Sequence, residues 1–305
     1  MSETKTVKPN VQKTPDAPKK KLTKKQKIAV IAASVIAGLL VLAVCGGLIW
    51  LHIYCTPKEY EIIATGESTD EIQMIAHRGF SAMAPENTAP AFEEAGKAGY
   101  WGAECDVYRT EDGVWVITHD PITYRMMDKT AFIEKKTYDE LLEYTVDNGS
   151  NIENYPNLKI TTLDEYLEIC REYGMKPIIE LKGKNNTEHY DEIMGSVQKY
   201  DMEEQTYFIS FHIENLQKMA ELTDTCPLWY LVKVIDDEAI EEAKALGPNA
   251  GIDFDGNREE NTQEMVQKCA DAGLQLGAWT IDDPEVMQQL ISWGVHTITT
   301  NCLTY

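Results

Sequence analysis

Residues 72–120, IQMIAHRGFSAMAPENTAPAFEEAGKAGYWGAECDVYRTEDGVWVITHD, constrain the fold of this chain more than any other stretch. An apolar strand over 72–76 empties into His77, Arg78 and Gly79. Pro85, Glu86, Asn87 and Thr88 then open a helix in which Ala89, Phe92, Ala95 and Ala98 are spaced as one buried face. Asn87 and Thr88 are read as N-cap residue types, and Glu86 as a residue able to orient its neighbours. A second strand is expected over 102–107. Because strand side chains alternate, Glu104 and Asp106 share one face and Cys105 takes the other. Asp112 and Gly113 signal a turn, and the apolar run 114–117 ends in His119 and Asp120. Two histidines, an arginine and two carboxylates at the ends of strands joined by one helix form the layout of an active site at the C-terminal edge of a parallel sheet.

The rest of the chain repeats the alternation. Strands are expected over 72–76, 102–107, 176–182, 205–210, 227–232, 250–254, 274–280 and 296–300, with helical patterns such as 163–172, 237–245, 263–272 and 284–293 between them. Such regular alternation over residues 71–305 fits an α/β fold of the (β/α)8 TIM-barrel type, whereas a doubly wound sheet would have fewer strands. The gap between the second and third strands is too long for a simple crossover. Residues 120–161, with a helical pattern over 138–144, read as an insertion after strand 2 on the catalytic rim.

The order His77-Arg78-Gly79, Pro85-Glu86-Asn87-Thr88, Glu104-x-Asp106-Val107, Thr110-x-Asp112-Gly113 and His119-Asp120 resembles the glycerophosphodiester phosphodiesterase family. Weaker matches continue the resemblance through Glu180-Leu181-Lys182, Ser210-Phe211 and Trp279-Thr280, so that it covers residues 72–301. Two departures stand out: Thr300-Asn301 where the family closes with Thr-Asp, and an atypical segment between Asp120 and Arg125. Neither is expected to touch the central residues.

The resemblance implies a barrel fold and metal-dependent hydrolysis of glycerophosphodiesters to sn-glycerol 3-phosphate and an alcohol. Glu104, Asp106 and Glu180 match the positions that bind the divalent cation, and three carboxylates without a Cys or His partner suit Ca²⁺ or Mg²⁺. His77 and His119 match the acid and base pair, although the sequence does not divide the two roles. Arg78 and Lys182 are candidates to hold phosphate oxygens, and Trp279 to lie against the glycerol. Rival readings are lysophospholipase D- or phospholipase C-like cleavage of a lipid, cleavage of a glycerol-phosphate polymer, and a non-catalytic phosphodiester-binding module.

Ahead of the barrel, residues 28–54 contain no Asp, Glu, Lys or Arg, a run longer than the roughly 20 residues that span a bilayer. It reads as one transmembrane helix, followed by a linker over 55–70. A cleaved secretory signal is the rival, but its apolar stretch is about 7–15 residues. Leu42-Ala43-Val44-Cys45 also resembles a lipoprotein processing box. Residues 1–27 have no apolar periodicity and read as a disordered basic tail.

Charge divides at the same place. Residues 1–54 hold nine lysines and two acids, and the remaining residues hold 19 basic against 48 acidic side chains. So acidic a globule does not suit nucleic acid, which needs a basic footprint. Lysines crowd only the N-terminal flank of the apolar run. The positive-inside rule therefore places the N-terminus in the cytoplasm and the catalytic domain outside a single-pass cell-membrane anchor. The seven cysteines show no CxxC pair or zinc spacing and read as small buried residues, with one bridge left open. If this topology is right, protease added to intact cells removes the barrel, and a barrel shielded until lysis reverses the assignment.

Overall fold

A computed structural model describes residues 22–68 and 70–305, and the expected tail lies outside them up to residue 21. The chain divides into one unit that ends at Tyr54 and a second, Cys55–Tyr305. Helix α1 (Lys24–Cys55) contains the whole charge-free run and begins before it. Thr23 sets that earlier start: its Oγ1 accepts from Gln26 N at 3.3 Å while Gln26 Oε1 accepts from Thr23 N at 2.9 Å, reciprocal capping that satisfies two orphan donors. Residues 24–27 are thus helical, so the tail ends sooner than the sequence suggests. No residue of the helix is buried, and it has the length and composition of a membrane span, a test that a signal sequence also passes.

The second unit opens with β1 (Ile63–Ala64) and continues β2 (Gln73–Ala76), α2 (Ala89–Lys97), β3 (Gly102–Arg109) and β4 (Trp115–Ile117). After α3 (Tyr138–Leu141) the alternation is regular. It runs α4 (Leu163–Tyr173), β5 (Lys176–Leu181), α5 (Tyr190–Lys199), β6 (Tyr207–Ser210), α6 (Ile213–Ala220), β7 (Leu228–Val232) and α7 (Asp237–Lys244). It closes with β8 (Ala250–Asp255), α8 (Gln263–Asp271), β9 (Gln275–Trp279), α9 (Pro284–Ser292), β10 (Thr297–Thr300) and β11 (Leu303–Thr304). Strands β2, β3 and β5 to β10 pair in parallel, and β2 bonds to both β10 and β3, which closes an eight-stranded barrel. Each of the eight expected strands is present, trimmed or extended by one or two residues.

The main core lies between strands and helices, and Cys105 falls there, as its alternation from Glu104 and Asp106 requires. A smaller apolar layer of Ile75, Ile178, Ile209, Trp229 and Leu231 packs together within the barrel. Five of the seven cysteines are buried and all are free thiols. Residues 120–161 form the expected insertion, with an apolar cluster of their own that includes Met126, Ile133, Leu141 and Val146. The linker differs from expectation, because Ile63 and Ala64 pair with Leu303 and Thr304. A two-residue strand carries no periodicity to read.

Tyr166 on α4 joins the helix layer to the barrel wall. Fully buried, its hydroxyl donates to Ala103 O at 2.6 Å and accepts from Ile178 N at 2.9 Å, bridging β3 and β5 where the site carboxylates reside. Tyr166→Phe leaves one buried carbonyl and one buried amide without that partner, so thermal unfolding of the detergent-solubilised chain should show a loss of about 1–3 kcal/mol.

Candidate active site

The site is built at the end of the barrel to which the parallel strands point. β3 and β5 pair in a register that sets Asp106 opposite Glu180, and Glu104 precedes Asp106 on the same face. All three are buried, and their ligand-capable oxygens lie within 4.8 Å of one another. Lys182 reaches back over the strand end, its Nζ 2.8 Å from both Asp106 Oδ1 and Glu180 Oε2. The contact to Asp106 is an ion pair without hydrogen-bond alignment. Desolvation, then repulsion by Asp106 and Glu180, pushes Glu104 well above the usual carboxylate range. Desolvation also raises Glu180, to about 7. Asp106 goes the other way, because Lys182, His119 and Arg78 outweigh its desolvation. An all-oxygen cluster that lacks full counter-charge suits a hard divalent cation.

The β2 end bends sharply. Arg78 adopts a left-handed backbone (φ 58°), and its N–H donates to Glu104 Oε2 at 2.8 Å. Gly79 follows at φ 74°, with Ala91 so close that an added Cβ would lie 2.7 Å from its carbonyl carbon. The bend sends the Arg78 side chain across the mouth. Its Nη1 donates to Glu86 Oε1 at 2.8 Å, and its Nε lies 3.5 Å from Asp106 Oδ2. His77 keeps an edge toward solvent but is otherwise closely surrounded; burial first, then repulsion by Arg78, brings its pKa down to about 4.

His119 arrives by a different route from the one the sequence suggests. β4 runs antiparallel to β3, with Val107 opposite Ile117 and Arg109 opposite Trp115. The chain overshoots the rim, turns at Asp112 and Gly113, and returns, so that Thr118 N donates to Asp106 O at 2.9 Å. His119 is therefore delivered by a hairpin beside the barrel, and its Nδ1 lies 3.0 Å from Asp120 Oδ1. Arg125 joins Asp120 Oδ2 at 2.6 Å to Glu86 Oε1 at 2.5 Å. Trp279 ends β9 at the same rim, edge-to-face with Phe211 at 5.3 Å, and its Nε1 donates to Asp253 O at 3.1 Å.

Residues 77–303 match the Glycerophosphoryl diester phosphodiesterase family. The chain belongs to that family. It is 28% identical over 254 residues to the glycerophosphodiester phosphodiesterase of Bacillus subtilis (strain 168), covering 77% of this chain and 85% of that one. It is 30% identical over 244 residues to the glycerophosphodiester phosphodiesterase of Caldanaerobacter subterraneus, with 75% and 93% covered. The structure of an Oleispira antarctica phosphodiesterase in complex with the product sn-glycerol-3-phosphate superposes with a TM-score of 0.69 at 27% identity, over 78% of this chain and 95% of that one. The fold, the family and the class of enzyme, a phosphoric diester hydrolase, thus agree with the resemblance read from the motifs.

Within this family member, the structure brings together every residue singled out at 77, 78, 104, 106, 119, 180 and 182, with Trp279 at the rim. Four others, Asn87, Asp120, Arg125 and Asn301, belong to the set for reasons the sequence hid. Asn87 is no helix cap: its Nδ2 donates to Asp106 Oδ2 at 2.7 Å, and its left-handed backbone (φ 57°) aims it there. Thr88 occupies the N-cap position, but its hydroxyl donates to Pro85 O while Thr161 Oγ1 takes the Ala89 N–H. Asn301, expected to stand clear of the central residues, touches them, and so do Asp120 and Arg125, the residues that bound the atypical segment. Asn301 Oδ1 is 2.8 Å from His77 Nδ1, and Asp120 and Arg125 link His119 to Glu86. The Thr300-Asn301 departure was itself the available signal.

Glu86 holds two guanidiniums. Burial alone would raise its pKa, but Arg78 and Arg125 hold it down at about 2. Glu86→Ala leaves both cations crowded without their shared anion and should destabilise the enzyme by about 3 kcal/mol, the low end for breaking a buried pair, as read by chemical denaturation.

Proposed function

We propose that this enzyme hydrolyses glycerophosphodiesters to sn-glycerol 3-phosphate and an alcohol, dependent on a divalent cation, Ca²⁺ or Mg²⁺, held by Glu104, Asp106 and Glu180. The observation that carries this reading is the convergence of His77, His119 and the carboxylate trio on one barrel mouth whose cations can receive a phosphodiester. When bound, the cation supplies Lewis-acid stabilisation of charge on the phosphoryl oxygens. Arg78 and Lys182 orient the phosphoryl group through donors already held by Glu86, Asp106 and Glu180. One histidine takes the proton of the attacking oxygen as the new P–O bond forms, whether that oxygen is water's or the neighbouring glycerol hydroxyl's; in the second case a water then opens the cyclic phosphate to give sn-glycerol 3-phosphate. The other histidine gives a proton to the departing alkoxide as the old P–O bond breaks. Trp279 and Phe211 offer an apolar wall to the glycerol or to the leaving alcohol. The apolar helix holds the enzyme to a cell membrane, with the barrel outside.

A second reading, cleavage of a lipid such as a lysophospholipid, draws on two observations. Ile62, Phe132, Phe211 and Val234 are exposed on segments at the catalytic end of the barrel unit. Tyr60, five residues past the end of α1, is raised to about 12 by burial and then by the charges of Asp282 and Glu86, so the connecting segment runs beside the site.

Turnover of the solubilised full chain on glycerophosphodiesters, lysolipids and polyglycerol phosphate, with added cation or chelator, separates the readings. Full activity in chelator would exclude the cation role, and no turnover on any substrate would favour a binding module. Divided histidine roles predict unequal leaving-group sensitivity. Loss of the acid costs little on a p-nitrophenyl ester and much on an alkyl ester, whereas loss of the base costs roughly 10²- to 10⁴-fold on both. Equal profiles for His77→Ala and His119→Ala would remove that division.

A further inference from the structure

The residue that departs from the family's closing Thr-Asp lies directly against His77. Asn301 Oδ1 is 2.8 Å from His77 Nδ1 and 3.1 Å from Ser81 Oγ, which donates to it. On its other side, Asn301 Nδ2 donates to Asp282 Oδ2 at 2.7 Å. Asp282 Oδ1 accepts from Asn301 N at 2.8 Å and from Thr300 Oγ1 at 3.0 Å. The Thr300 hydroxyl is free to donate there, since it receives the N–H groups of Cys302 and Leu303. Asp282 is therefore surrounded by donors on both oxygens.

A side-chain amide has one accepting end and one donating end, and its hydrogen-bond partners decide which way it points. Turning Asn301 over would set its oxygen 2.7 Å from a carboxylate oxygen, acceptor against acceptor. It would also present an NH₂ to Ser81 and His77. Asp282 thus holds the amide in one orientation, with its oxygen toward His77. An oxygen with no proton to give can only accept, so His77 Nδ1 must be the donor.

We infer that Asp282 and Asn301 are positioning residues that fix His77 as the tautomer protonated on Nδ1, leaving Nε2 bare as the proton acceptor of the reaction. The inference rests on the proposed acid and base pair and divides its roles: His77 removes the proton of the attacking oxygen, and His119, whose Nδ1 faces the Asp120 carboxylate, protonates the leaving oxygen. The proton taken up at Nε2 of His77 and the one released by His119 balance over a turnover. A neutral amide thus faces the imidazole, and the charge lies one group further away on Asp282.

The test reads the tautomer directly and activity separately. Full-length protein in detergent micelles, labelled with ¹⁵N-histidine and compared with His77→Ala to assign the signal, should show a protonated Nδ1 and an unprotonated Nε2 at His77. The reverse pattern overturns the inference whatever the activity. In Asp282→Asn the amide loses its anchor, and in Asn301→Leu the ring loses its acceptor. Both should lower kcat by about 10²-fold, the low end for general base catalysis, with little change in KM. The loss should be equal on p-nitrophenyl and alkyl substrates. The exchange variant Asp282→Asn/Asn301→Asp again presents an acceptor to Nδ1, with a donor behind it, and should recover kcat. Failure of the exchange variant to recover while its ring still reads Nδ1-protonated overturns the catalytic part. An Nδ1-protonated ring in an enzyme that His77→Ala leaves fully active would refute the acid and base reading but not the tautomer lock.

Discussion

Three carboxylates gathered in one desolvated barrel mouth set the terms for everything around them. At an effective dielectric of about 20, two like charges 4 Å apart repel by about 4 kcal/mol, and the carboxylates of Glu104, Asp106 and Glu180 hold ligand-capable oxygens within 4.8 Å of one another. The barrel tolerates the cluster because its cations are equally fixed. Lys182 touches two of the three, and Arg78 reaches Asp106 from the end of β2, on the other side of β3. Those cations need anchoring in turn, and Glu86 holds Arg78 while sharing Arg125 with Asp120. The alternation of charge continues to His119 through Asp120. One chain of contacts thus runs from the carboxylate trio to one proposed catalytic histidine, and its anions and cations do not quite cancel at the centre. That residue of negative charge is the physical reason for a divalent cation in the proposed reaction.

Backbone conformation supports this arrangement at a cost. Arg78 and Asn87 both hold left-handed φ values, a conformation that costs a non-glycine residue roughly 1–2 kcal/mol. Each gains a specific contact from it: Arg78 N reaches Glu104, and Asn87 reaches Asp106. Asn87 N also donates to Arg78 O at 2.9 Å, so the two bends brace each other. Strain of this kind persists where the surroundings over-determine it, and the tight approach of Gly79 to Ala91 on α2 is part of that enclosure.

The barrel was legible because each element repeats one period: eight parallel strands of four to eight residues, β2, β3 and β5 to β10, alternating with helices that have a single apolar face. Site residues on strands were legible for the same reason. Alternation alone puts Glu104 and Asp106 together, and adjacency of β3 and β5 adds Glu180. What sequence could not show is contact between segments with no shared period. Asn87 looks like a cap because Asn caps helices well, and only its backbone twist sends it to Asp106 instead. Arg125 lies in an irregular insertion, and its role depends on reaching Glu86, 39 residues away. Asn301 approaches His77 across 224 residues of sequence because barrel closure makes β10 and β2 neighbours. The departure at Thr300-Asn301 reads as peripheral in the sequence, whereas closure makes the last strand as central as the first.

The same closure resolves an apparent conflict in the charge distribution. A barrel unit with 48 acidic and 19 basic side chains repels an anionic diester at a distance. Yet surface charges act over only about 8 Å at physiological ionic strength, so most of that acidity cannot reach the mouth. Inside it, Arg78 and Lys182 converge from β2 and β5 and are little exposed, which leaves them less screened than any surface acid. Selection of a phosphodiester therefore falls to groups within direct contact rather than to the protein's overall field. The neutral amide of Asn301 fits that economy. A carboxylate in its place would add one more negative charge to the wall that the substrate phosphate must approach. Asp282, set behind the amide, orients His77 from one group further away.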